Sequence, residues 1–353
     1  MSDSKLPSNN NSESGWLAMM ILLALFLLVV CFTALSRITR SSDPTIHWDM
    51  PVAYSESNFQ TQNAKEFATE IYQCTGGGLD ISVHGGGSLY KGGEIKRAVQ
   101  VGLVPIGERL LSSHFNENLL FGFDSLPFIT ANFEESNQLW RVAKRVLEKD
   151  MNKEQLTLLY SVPWPPSGLY FKQPIENIEQ LKNIKFRSYN AATARFAELS
   201  GMIPVQIEAA ELSQALALGV VDSFMASGST GYDRKVWEHL SHFYDVKAWL
   251  PRNYVFVNKT DFSQLPSGYQ QCVLTASENA ELRGTKKSKQ LTDWYLQQLE
   301  INGMQVVQAG PQLDASLAEI GKLMVEEWLQ LSGEKGVQII NRYESKKHTS
   351  EVD

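Results

Sequence analysis

Arg187 is the residue with the clearest chemistry in this sequence. It lies in KFRSYNAATARFAELSG (185–201), on a short β-favouring run, three residues before Asn190, a good helix N-cap, and ahead of the helix formers Ala191, Ala192 and Ala194. A cation just before a helix start adds to the free backbone N–H groups and the positive helix end, all of which favour an anion. Its planar fork can grip a carboxylate through two parallel hydrogen bonds. Taken alone, the segment also suits a surface arginine paired with Glu208 or Glu211.

Other residues of chemical interest carry less. Gly76-Gly77-Gly78 and HGGGSLYKGG (84–93) do not match GxGxxG, and Lys91 precedes its glycine instead of following it as a phosphate loop requires. They read as tight strand-to-helix turns, one helix beginning near Ser88, with backbone open to a cleft. His239 and His242, flanked by Glu238 and Asp245, have a metal-like spacing but read as a solvated helix end. Trp164, Tyr170, Phe224, Met225 and Trp249 are pocket walls or ordinary core. Neither GxSxG nor HExxH occurs, so no catalytic group, cofactor or metal is expected.

The elements that must position these residues begin with an export signal. Residues 1–15 are polar, and Trp16 to Leu35 form an uncharged apolar run of about bilayer span, stopped by Ser36-Arg37-Ile38-Thr39-Arg40. Residues 16–36 therefore read as a signal peptide or a membrane anchor. Leu28-Val29-Val30-Cys31 is a poor lipoprotein box, because Val30 is bulky where a small residue is needed. Of the three cysteines, Cys74 and Cys272 remain in the exported body, where one disulfide can form. With 353 residues, 43% of them hydrophobic, the chain can fill about two domains, and a net charge of −7 without a long basic run argues against a nucleic-acid partner.

After the linker at 41–44, strand and helix patterns alternate. Strands are expected at 45–54, 79–83 and 103–106, with helices at 59–72 and 93–100 between them. A second run follows, with strands at 160–163, 169–172, 184–187, 204–207 and 220–225 and helices at 191–199 and 212–218. Such alternation predicts α/β layers with parallel strands. The extended stretch 243–258, interrupted by Pro251, suits a crossing between two lobes. A long helix at 267–302, a strand at 305–308 and a helix at 313–331 close the chain. Two lobes joined by several crossings make a hinge around a ligand cleft.

These segments, taken in order, carry a family resemblance. KEFATEIYQCTGGGLDISVHGGGSLYKGGEIKRAVQVGLVPIG and DSLPF resemble the first lobe of the DctP-type solute receptors of tripartite ATP-independent periplasmic (TRAP) transporters. GLYFKQPIENIEQLKNIKFRSYNAATARFAELSGMIPVQIEAAELSQALALGVVDSFMASGSTGYDRKVWEHL resembles their second lobe, and PRNYVFVNKTDFSQLP their returning strand. The similarity spans about 45 to 340. It implies an α/β, two-lobed periplasmic binding protein (type II-like) with a crossing strand and a long C-terminal helix. Lobe I would comprise 44–164 plus 253–292, lobe II 165–252 plus 293–343, and 344–353 a flexible tail. The resemblance also makes Arg187 the ligand-carboxylate clamp, with Asn190 a neighbouring polar contact. The expected site adds Tyr54, Glu56, Ser88, Trp164, Met225 and Trp249.

Departures from the family narrow the expected ligand. Val221-Asp222 is followed by Ser223 rather than an asparagine, and the second arginine of sialic-acid receptors is missing near Trp164-Pro165-Pro166-Ser167. A monocarboxylate or a 2-oxo/2-hydroxy acid is therefore favoured over a dicarboxylate, with Arg252 as a candidate second charge. The implied function is transport from the periplasm, the acid being handed to the small and large membrane subunits of a permease. The rival readings are a receptor feeding a signalling partner and a periplasmic enzyme on a similar fold.

Overall fold

The first strand, β1 (Ile46–Pro51), carries its buried side chains on alternate positions before ending in two buried residues, the pattern of a strand laid on a core. Asn58 then accepts a hydrogen bond from the Gln60 N–H and caps α1 (Phe59–Cys74). β2 (Leu79–His84) returns parallel to β1. After α2 (Gly92–Gln100), β3 (Ile106–Leu110) is buried at every residue. The strand expected at 103–106 thus starts where it was expected to end. Gly102, at φ +74°, ends α2, Leu103 is exposed, and Pro105 closes the turn.

The computed structural model describes residues 19–20, 23–26 and 45–350. Most of the expected export segment at 16–36, including Cys31, and all of the polar segment at 1–15 lie outside them. Residues 19–20 and 23–26 are helical and exposed, and no described helix is long and apolar enough to cross a membrane. The chain divides into two compact units, residues 1–45 and 46–353. The second carries the rest of the fold.

Two layers build that unit. In the first, α3 (Phe133–Lys153) and β4 (Leu156–Pro163) complete a sheet of order β3-β10-β4, in which β10 (Arg252–Asn258) runs antiparallel to both neighbours. An isolated bridge from Val52 to Glu108 joins β1 to β3. The second layer contains β5 (Ser167–Phe171), β6 (Lys185–Ser188), α4 (Ala191–Leu199), β7 (Ile203–Gln206), α5 (Leu212–Ala217), β8 (Ser223–Ser227), α6 (Gly228–Asp233) and β9 (His242–Tyr244). After α7 (Lys259–Gln264) and α8 (Ser267–Ile301) comes β11 (Gln305–Val307), which completes a sheet of order β11-β9-β5-β8-β6-β7. The expectation of parallel strands holds only in part. β5 is antiparallel to β8 and β9 because it enters from the first layer rather than through a helical crossover.

The stretch 243–258 does cross between layers, as two strands rather than one: β9 belongs to the second sheet and β10 to the first. It runs beside the β4-to-β5 crossing. Trp164 N–H donates to the Pro251 carbonyl at 2.8 Å, and Ser167 N–H to that of Trp249 at 2.9 Å. α8 adds a third connection, with Val273, Ala276 and Ala280 in a first-layer core and Leu299 in a second-layer core. The last helical stretch, α9 (Pro311–Ser350), broken at Gly333 where φ 63° and ψ −159° are not helical, adds a fourth. Leu313, Leu317 and Met324 pack in the second layer, whereas Trp328, Ile339, Ile340 and Tyr343 fill the first. The assignment of all of 293–343 to lobe II is corrected accordingly, and residues 344–350 of the expected flexible tail continue the helix. Cys74 at the end of α1 is bridged to Cys272 on α8.

Candidate functional site

Where the two layers face each other they enclose a cavity of about 50 Å³, in a measure in which one water needs roughly 10–15 Å³. The first layer contributes Tyr54, Arg109, Leu110, Ser113 and Trp164. The second contributes Ser167, Arg187, Tyr189, Glu208, Ala209, Ala226, Ser227 and Thr230, and Pro251 lies on the crossing.

Arg187 is placed by β6 and by the turn into α4. Asn190 accepts from Thr193 N–H at 2.8 Å while Thr193 Oγ1 accepts from Asn190 N–H at 3.1 Å, a reciprocal cap that starts the helix and fixes the direction of the preceding strand. The Arg187 side chain is 3% exposed. Its Nε donates to the Ile207 carbonyl at 2.8 Å, and its guanidinium carbon lies 4.7 Å from the Tyr189 ring centre. Among the described residues no carboxylate stands within 4.0 Å of it. Burial pulls its pKa down to about 10, so it remains charged at neutral pH. Glu208 is taken by Arg109 instead: Arg109 Nη2 donates to both Glu208 oxygens, at 3.1 and 3.3 Å.

The opposite wall is held from behind by Asn253 on β10. Its Oδ1 accepts from Trp164 Nε1 at 2.9 Å and from Tyr54 OH at 3.2 Å, and its Nδ2 donates to Glu108 Oε1. Tyr54 and Trp164 meet edge to face, 4.7 Å between centroids. Burial pushes the Glu108 carboxyl up to about 7, against the lowering effect of its bond from Asn253. Three polar atoms near the cavity are buried without a hydrogen-bond partner among the described residues: Arg109 Nε, Ser113 Oγ and Glu108 Oε2.

Of the expected site residues, Arg187, Tyr54 and Trp164 line the cavity and five do not. Asn190 spends its side chain on the helix cap and on Ser112 Oγ, 3.0 Å away. Glu56 is exposed, ion-paired with Lys65 and hydrogen-bonded by Gly85 N–H. Ser88 lies in an exposed turn, because α2 starts at Gly92 with Lys91 at its cap, and Gly86 and Gly87 take the left-handed conformation (φ +70° and +68°) that the turn needs. Met225 points into the second-layer core, on the opposite side of β8 from Ala226. Trp249 is fully buried and reaches the site only through its N–H bond to Tyr189 OH, at 3.2 Å.

Two further expectations are corrected. Arg252 turns away from the cavity to Ser161, Ser136 and Asn137, so the second cation there is Arg109. His242 is a buried strand residue rather than part of a solvated helix end, hydrogen-bonded to Ser241. No group of side chains able to hold a metal occurs among the described residues. Arg109 escaped notice because the strand was expected to end at Ile106. The signal was Glu108-Arg109, two adjacent charges inside the otherwise apolar run IGERLL.

The family model for bacterial extracellular solute-binding protein, family 7 (DctP), matches residues 52–330. The chain is 48% identical to a TRAP solute-binding protein from an unidentified marine-metagenome microbe, specific for pyroglutamate and solved with that ligand. The match covers 86% of this chain and 100% of that one, with a TM-score of 0.85. It is 42% identical to DctP6 of Bordetella pertussis, an extracytoplasmic solute receptor binding pyroglutamic acid, over 85% of this chain and 99% of that one, with a TM-score of 0.83. A more distant relative, 22% identical over 85% of this chain and 84% of its own length, is a monocarboxylate 2-oxoacid-binding periplasmic protein of Nostoc.

Proposed function

Because this chain belongs to the family 7 extracellular solute-binding proteins, the DctP-type receptors of TRAP transporters, we propose that its ligand is pyroglutamate or a similarly compact monocarboxylate. The family is one of periplasmic receptors for solutes, and the chain serves a TRAP-type secondary transporter in that capacity. The ligand carboxylate lies on Arg187, and the site is closed by Tyr54 and Trp164 from one lobe and by Tyr189 and Ser227 from the other. The family is one of solute-binding receptors, so the ligand is held and released unchanged. The body is released into the periplasm or tethered by the segment at 16–36, and the acid passes to the small and large permease subunits.

One observation carries this reading: a buried guanidinium facing a cavity between two lobes, with no carboxylate of its own. An isolated buried charge is costly unless it finds a partner, and a ligand carboxylate supplies one. Pyroglutamate suits the remaining groups. Its single negative charge matches Arg187, and its lactam N–H and C=O can satisfy orphaned atoms such as Ser113 Oγ and Arg109 Nε. The relatives at 48% and 42% identity bind that acid.

The lobes touch across the cleft through Arg109–Glu208, Asn190–Ser112 and Asn58–Asp233, the last at 2.6 Å. Closure around a ligand excludes water and strengthens the bonds to Arg187. The ligand shifts the open–closed balance by its difference in affinity for the two states. Calorimetric titration with pyroglutamate, pyruvate and succinate tests the assignment. Pyroglutamate is expected to bind tightest. Absence of binding by both monocarboxylates, or a preference for succinate, would sink it.

A further inference from the structure

Two guanidinium groups line the interlobe cavity, and only one is neutralised. Arg187 meets a carbonyl and an aromatic ring, whereas Arg109 meets both oxygens of Glu208. We infer that Glu208 restricts this receptor to singly charged acids: it occupies Arg109, so a second carboxylate on a ligand meets a carboxylate instead of a free guanidinium. The inference deepens the proposed function and rests on its premise that the cavity takes an organic acid on Arg187.

The pair is built into the fold. Arg109 is 3% exposed on β3 and Glu208 follows β7, so the contact spans the two lobes. Space for it is left by Gly92 at the start of α2. A Cβ there would fall 2.4 Å from Arg109 Nη1 and 3.0 Å from Glu208 Oε2. This gives the first glycine of YKGGE, Gly92, a physical reason. The same carboxylate lies beside the first turn of α2, whose N-terminal end favours a negative charge. Arg109 also lies close enough to Arg187 for its charge to oppose that of its neighbour. Freed of Glu208, it would present a second anion seat within reach of the carboxylate held on Arg187, with its unpartnered Nε as a further donor.

The test compares two ligands on one protein: pyroglutamate, a monoanion, and glutarate, an open-chain dianion of similar carbon count. Glu208→Gln keeps the shape of the side chain and removes its charge. The ratio of the two dissociation constants is expected to shift by about tenfold or more toward glutarate. The double variant Arg109→Gln/Glu208→Gln, which lacks both charges, should return to the wild-type ratio. Gly92→Ala, which pushes the pair apart while keeping both residues, should shift the ratio in the same direction as Glu208→Gln and serves if that variant does not fold. A ratio that stays within about twofold of wild type in both single variants overturns the role of Glu208. So does a shift that persists in the double variant, since it would then come from cavity shape. Wild-type protein that binds neither acid overturns the carboxylate reading and this inference together, and the wild-type titration tells that result apart from the others.

Discussion

Arg187 and Tyr189 are two residues apart on the strand-to-helix turn, yet the guanidinium folds back until its central carbon lies 4.7 Å from the phenol ring centre. With Nε already bonded to the Ile207 carbonyl, the two terminal nitrogens are left to grip a carboxylate end on. Trp249 holds Tyr189 in turn, so the donor fork is oriented before any ligand arrives, which lowers the ordering cost of binding.

Replacing Arg187 by Ala should therefore weaken binding severely while the fold survives. By analogy with broken buried ion pairs, the loss is roughly 3–5 kcal/mol, or about 150- to 5,000-fold in affinity. Arg187→Lys keeps the charge without the planar fork and should recover part of the affinity but lose discrimination among acids. Calorimetry with pyroglutamate reads both variants. Near-wild-type binding by the alanine variant would remove Arg187 from the site.

Much of this was legible in the sequence because it rests on local rules. Asn190 as an N-cap, the α/β alternation and the crossing near Pro251 all follow from short-range pattern. What escaped depends on distant partners. Nothing near Asn253 announces that it serves Trp164, Tyr54 and Glu108 together. Met225 and Trp249 look like pocket walls in a string of letters, but which face of a strand looks into a cleft is decided by the neighbouring layer. Glu208 was visible only as a neighbour of Arg187, and its choice of Arg109 is set by how the lobes close.

Asn253 gives a second prediction. Asn253→Leu leaves the buried Trp164 N–H without an acceptor, which typically costs about 1–3 kcal/mol. The melting temperature should fall. Ligand affinity should fall with it, because Tyr54 loses the same anchor. An unchanged affinity in a destabilised variant would show that the Tyr54–Trp164 wall takes no part in binding.

The bridge from Cys74 to Cys272 closes a loop with a sequence separation of 198. Tying such distant points restricts the unfolded chain, and native bridges are typically worth 2–4 kcal/mol. The double variant Cys74→Ser/Cys272→Ser should melt several degrees lower by calorimetry and still bind ligand, since neither cysteine lines the cavity. Equal melting temperatures would mean that the packing of α1 on α8 suffices without the bond.

Closure itself can be weighed in solution. Polar contacts span the cleft, with Asn58 reaching both Asp233 and Ser229 beside the Arg109–Glu208 and Asn190–Ser112 pairs, and four connections, two crossing segments and two helices, keep the lobes joined. Small-angle scattering should give a smaller radius of gyration with saturating pyroglutamate than without it. Equal radii would leave the hinge without support.

The last prediction concerns pH. Glu108 is 2% exposed, its Oε2 has no partner among the described residues, and burial raises its pKa from 4.5 to about 7. The folded protein thus holds this proton more tightly than the unfolded chain does. The resulting stabilisation is complete below about pH 4.5 and is lost as the pH rises through about 7, an effect of up to about 3 kcal/mol. Asp124, raised to about 6 chiefly by burial, acts in the same sense. Asp150 and Glu117, held below their ordinary values by lysine partners and, for Glu117, His114 as well, act in the opposite sense at lower pH. The difference between wild type and Glu108→Gln isolates the one group. The amide oxygen still accepts from Asn253, but no charge develops, so the variant should be the more stable at pH 8 and the advantage should vanish toward pH 4.5. Thermal melts across that range read it directly. Parallel curves would mean that Glu108 ionises in the fold as readily as in the open chain.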